Sequence, residues 1–150
     1  MIHADVIEFI RNGNFGPIAI GVSESNITDA LNSSGVRLTE PNFEEQLIFG
    51  CLQIGIAAGR ANWLNLVFSE GFPSVSDAVM IQTHGIPWSL IRKHDLWMAF
   101  KRLAPDLLPK KDIVKGLRKT CAIRVGQTCS LFFERKDVDF YLVMACTFQQ

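Results

Sequence analysis

The residues that could do chemistry in this 150-residue chain are few and scattered. The three histidines are His3, His84 and His94, and the four cysteines are Cys51, Cys121, Cys129 and Cys146. His84, His94 and Cys129 are the set that distant segments could assemble into a metal or catalytic site, although no ligand spacing joins them. Cys129 lies between Thr128 and Ser130 in an expected strand, where a thiol is inert without a base beside it. Two carboxylate pairs, Glu44-Glu45 and Asp137/Asp139, have the composition of a general acid and base. The first precedes an expected strand and the second flanks an expected hairpin, so both read as solvated edge charges.

The glycines of the opening stretch invite a phosphate-binding reading. Gly13, Gly16 and Gly21 have neither the Walker pattern nor the G-x-G-x-x-G spacing. Glu24, in the first turn of the helix expected after Ser23, would repel an anion at that end. Nucleotide binding is therefore excluded as a reading, and no cofactor is expected.

The elements that must position these groups follow from periodicity. Ile2, Val6, Phe9 and Ile10 predict a helix over 3–12, stopped by Gly13. A short strand is expected over 18–22. Ser23 then caps a helix whose buried stripe is Ile27, Ala30 and Leu31, and which ends at the Asn32-Ser33-Ser34-Gly35 run. The apolar run 46–57 is one long strand or two joined by a bend at Gly50 or Gly55. Strands over 62–68 and 78–82 follow, with turns at Gly59-Arg60 and at 69–73. Leu96, Ala99, Phe100 and Leu103 predict a helix stopped by Pro105, and Ile113, Val114 and Leu117 a weaker one after Pro109. Strands close the chain over 121–125, 128–134 and 138–148. The expected fold is a single α+β domain over 1–150, a mainly antiparallel β-sheet packed with about four helices.

Composition sets the class. Hydrophobic residues make up 48% of the chain and charged residues 20%, which suits one globular core rich in its 11 phenylalanines. No apolar run is long enough for a membrane helix and no secretory signal is read at the start, so a cytoplasmic protein with reduced, buried thiols is expected. A disulfide between neighbouring strands stays open at this point.

The net charge of zero hides a sorting. Before residue 92 there are three cations and nine acids, a balance of −6. From Arg92 onward there are twelve cations and six acids, a balance of +6. The segment 92–119 carries nine of those cations, yet no nucleic-acid-binding motif accompanies them, and Trp97 and Phe100 lie on or beside an apolar helical stripe. Nucleic acid is not the expected partner. Phe72 and Trp88, each beside a proline, are the aromatics least explained by periodicity. Trp88 is a candidate anchor for a protein partner.

The run Ile18-Ala19-Ile20-Gly21-Val22-Ser23, followed by Ile27, Ala30 and Leu31, resembles the strand–turn–capped-helix opening of small bacterial α+β proteins. Several of these are similar to immunity proteins encoded beside polymorphic toxins. A similar apolar strand with Gly-x-Ser occurs in outer-membrane assembly lipoproteins, whose lipoprotein signal is not found here. The resemblance implies binding rather than catalysis and brings no functional residues with it. The expectation is thus a non-enzymatic bacterial immunity protein that binds a cognate protein toxin, for example a basic nuclease. The expected partner-binding residues are Glu40, Glu44, Glu45, Glu70, Asp77 and Trp88. The alternatives are a small-ligand or metal-binding enzyme around His84, His94 and Cys129, and a homo-oligomeric scaffold protein.

Overall fold

Alternation decides most of the architecture. In Gln46–Phe49 (β2), Leu52–Ala57 (β3) and Arg60–Val67 (β4), buried side chains alternate with more exposed ones except around the register shift at Gly55, and short turns join the three strands. A computed structural model describes residues 1–37, 45–67, 78–85, 109–115, 120–125, 129–136 and 139–148. Within them, β2, β3 and β4 form one end of a seven-stranded antiparallel sheet. It continues through Asp139–Phe148 (β9), Cys129–Lys136 (β8) and Thr120–Val125 (β7) to Pro109–Lys115 (β6), in the order β2-β3-β4-β9-β8-β7-β6. Ile2–Asp5 (β1) and Val79–Gln82 (β5) pair separately and in parallel.

One face of the large sheet is the core. Leu47, Ile54, Leu64, Thr147 and Cys129 lie in register across five strands, and all are buried. Leu52, Leu66 and Leu131 make the next buried row, through the β9 backbone at Ala145. Against them pack the buried stripes of the helices Val6–Asn12 (α1) and Glu24–Ser33 (α2). The α1 helix sits on β8 and β9 and ends at Gly13, where an added Cβ would come within 3.0 Å of Thr147 Oγ1. Phe9 of α1 meets Phe15 edge to face, with ring centroids 6.4 Å apart.

The turns follow from residue type. Gly50, with φ +59, takes the first central position of the two-residue β2–β3 loop, the place a type II′ turn reserves for glycine. The 46–57 run is therefore two strands bent at Gly50, while Gly55 marks a register shift in which Asn62 is the extra residue of β4. Ala58 and Gly59 both have positive φ, +51 and +72, as a type I′ hairpin turn requires. Ala58 carries a Cβ in that left-handed conformation. Replacing it with glycine should raise stability by about 1 kcal/mol, read as an increase in the urea midpoint with unchanged m-value.

Several expectations are corrected. The sheet is not packed with about four helices: the described residues hold two helices and nine strands. The segment 96–103 lies outside the described residues. Where a helix is expected from Ile113, Val114 and Leu117, Ile113 and Val114 lie in β6, whose extended backbone suits their β-branched side chains and whose Pro109 stands at the strand's first position, while Leu117 lies outside the described residues. The helix expected over 3–12 begins only at Val6. Ile2 and Ala4 are buried and His3 is exposed, an alternation that makes the first residues a strand beside β5. The strand expected over 18–22 is instead a bridge between Phe15 and Ile18 followed by a turn at Gly21. Among the described residues, no helix is long and apolar enough to cross a membrane.

Candidate functional site

The clearest polar constellation sits where β1 and β5 end. Both strands run in the same direction, with Asp5 opposite Gln82, and the chain passes from Asp5 directly into α1. Asp5 has extended backbone and serves as the N-cap. Its Oδ1 accepts hydrogen bonds from the Ile7 N–H at 2.8 Å and the Glu8 N–H at 3.2 Å, satisfying donors that the first helical turn leaves without partners. The second oxygen is used elsewhere: Oδ2 lies 2.6 Å from His84 Nε2. The Glu8 carboxylate accepts a hydrogen bond from Asn12 Nδ2 at 3.1 Å.

His84 reaches Asp5 from the turn that follows β5. Its backbone has φ +53 and the next residue, Gly85, has φ +74. A left-handed histidine is uncommon, and it delivers the imidazole back over the strand ends. The side chains of His84 and Asp5 are 38% and 23% exposed, so the pair is open to small molecules. On the same face of this strand pair, His3, Met80 and Gln82 are exposed.

The sequence-predicted groups are distributed differently. His84 is paired with Asp5 and not with Cys129, which is fully buried in the core face of β8. His94 lies outside the described residues, and among those residues no group of three or more His, Cys, Asp or Glu could hold a metal ion. Of the expected partner-binding residues, Glu45 is exposed at the entry to β2, with φ +63 and its carbonyl accepting from the Ile56 N–H at 2.7 Å. Glu40, Glu44, Glu70, Asp77 and Trp88 lie outside the described residues. The register sets Cys121 opposite Phe133, Cys129 opposite Val125 and Thr147, and Cys146 opposite Ser130 and Asn65, so no two cysteines are cross-strand partners.

Cys51, in the β2–β3 turn, is a poor nucleophile. Burial pushes its thiol up to about 11, against a smaller lowering by a backbone hydrogen bond. The shift is upward from 9.0, so the neutral thiol favours the folded state fully below pH 9, and that contribution is lost as pH rises through 9 towards about 11. Two consequences are measurable. At pH 8, iodoacetamide should alkylate Cys51 about 100-fold more slowly in the folded protein than in urea, and Cys51→Ala should flatten the stability loss between pH 9 and 11.

The charge sorting of the sequence acquires a layout in the sheet. Arg60 is the only charged residue within β2, β3 and β4, and its Nη1 donates to the Gly21 carbonyl at 2.8 Å. At the other end, β6, β7 and β8 carry Lys110, Lys111, Lys115, Arg124, Arg135 and Lys136 against Asp112 and Glu134. A basic sheet edge beginning with proline and broken in register is also the usual defence against edge-to-edge aggregation. No protein-family model matches the chain, and no curated protein or solved structure matches it.

Proposed function

We propose that this chain is a non-enzymatic binding protein of the bacterial immunity type, which neutralises a cognate toxin by occupying its surface. The observation that carries the reading is the charge polarity of the seven-stranded sheet: a nearly uncharged β2–β4 end and a basic β6–β8 end. Sorted charge of this kind steers encounter with a partner of complementary pattern. The acidic residues that precede Arg92 in the sequence, the exposed Glu45 at the entry to β2 among them, are the charges a basic toxin such as a nuclease would meet.

The test is co-expression with the product of the adjacent gene, followed by association kinetics on the purified pair. A stable complex is expected. The double reversal Glu44→Lys/Glu45→Lys should slow association about tenfold at low salt, and the difference should fade as ionic strength rises. A complex whose on-rate ignores these reversals rejects the acidic surface, and no complex with that gene product rejects the immunity reading.

A further inference from the structure

We propose that Asp5 and His84 form a general base for O–H groups, a small hydrolytic site at the carboxyl ends of β1 and β5. This inference departs from the non-enzymatic part of the reading above and does not depend on toxin binding.

The geometry assigns each nitrogen a role. A carboxylate only accepts, so at 2.6 Å His84 Nε2 carries the proton and donates to Asp5 Oδ2. The neutral ring then has its lone pair on Nδ1, and among the described residues Nδ1 has no hydrogen-bond partner. Asp5 is itself anchored, because its other oxygen is fixed by two backbone N–H groups of α1. The arrangement repeats the logic of an aspartate that holds a histidine in one tautomer, with the two ring nitrogens exchanged relative to the serine protease triad. His84 is held there in left-handed backbone, a conformation that in non-glycine residues collects at functional sites.

The chemistry is hydrolysis of a small activated carbonyl compound that reaches the exposed Nδ1 side of His84. Water loses a proton to His84 Nδ1, and its oxygen forms a bond to the carbonyl carbon. The leaving group departs with the electron pair of the broken bond, and the proton returns to solvent. Asp5 is a positioning residue, since it acts only through His84.

p-Nitrophenyl acetate is the probe. The wild-type protein should hydrolyse it about 100-fold faster than His84→Gln, the lower end of what general-base catalysis supplies. Asp5→Asn separates the two duties of Asp5, because asparagine caps a helix as well as aspartate does. It should leave thermal unfolding unchanged, lower hydrolysis about tenfold and alter the pH profile. Nitrogen-15 NMR of His84 should show the Nε2–H tautomer in the wild type and a mixture in Asp5→Asn. Equal hydrolysis by wild type and His84→Gln, an Nδ1–H tautomer, or an acetylated His84 recovered by mass spectrometry would each overturn the proposal.

Discussion

Phe9→Ala should cost about 3–5 kcal/mol of folding stability, the range for truncating a fully buried aromatic residue. Phe9 is 1% exposed and stands on α1 among Ile7, Ile10 and Phe15. The substitution removes the whole ring, leaves a cavity against β8 and β9, and deletes the edge-to-face contact with Phe15, itself worth about 0.5–1.5 kcal/mol. Urea unfolding of Phe9→Ala and Phe9→Leu measures the two parts. Leucine refills most of the volume and should recover more than half of the loss. A cost below about 1 kcal/mol for the alanine variant would show that α1 does not rest on the sheet as described.

Gly55→Ala should be nearly as damaging, by overpacking rather than by a cavity. Gly55 and Trp63 are cross-strand partners in β3 and β4, and the indole lies flat over the glycine. An added Cβ would sit inside the ring, against Cε2 and Nε1, so the indole must leave its place or the strands must separate. Forcing even a methyl into a filled site costs about 1–3 kcal/mol, and loss of the indole's burial on the sheet adds to it. Coupling is the sharper readout. In Trp63→Ala the space is vacant, so adding Gly55→Ala there should cost less than about 0.5 kcal/mol. A double-mutant cycle with no coupling would contradict the stacked arrangement.

Why some of this was legible in the sequence and some was not has a physical basis. The strands β3, β4 and β8 announce themselves because one face is buried and one is half-covered, which writes a period of two into the residues. Ser23 signalled α2 because its hydroxyl is a cap and Ile27 and Leu31 follow at helical spacing. The β1–α1 junction was hidden by coincidence. Ile2, Val6, Phe9 and Ile10 fit a helix, and the alternation of Ile2, His3, Ala4 and Asp5 is too short to compete. The missed signal was Asp5-Val6-Ile7-Glu8, an N-cap followed three residues later by glutamate, which dates the helix start correctly. β6 is ambiguous in the sequence because Ile113 and Val114 mark a helix stripe or a strand with equal ease over so short a run.

The site was legible only in half. His84 stood out as a loop histidine, but its partner lies 79 positions earlier and is joined to it only by the parallel pairing of β1 and β5. Spacing rules find ligands on one element, not those that strand pairing brings together. Cys129 stands apart from His84 for a related reason: it shares the buried face of β8 with Leu131 and Phe133 and so points into the core.

The sheet order has a kinetic consequence. Strands β2, β3 and β4 are joined in succession, as are β6, β7, β8 and β9, so each group is a meander closed by neighbours in the chain. One seam, β4 on β9, unites them, with Trp63 opposite Phe148 and Val67 opposite Met144. Closing that seam spans more than half of the polypeptide, whereas each hairpin closes a short loop. The rate-limiting step of folding is then the meeting of two preformed meanders. Truncating Leu66 at the seam should slow refolding, and truncating Leu47 at the outer strand should chiefly speed unfolding, a contrast that stopped-flow chevrons resolve.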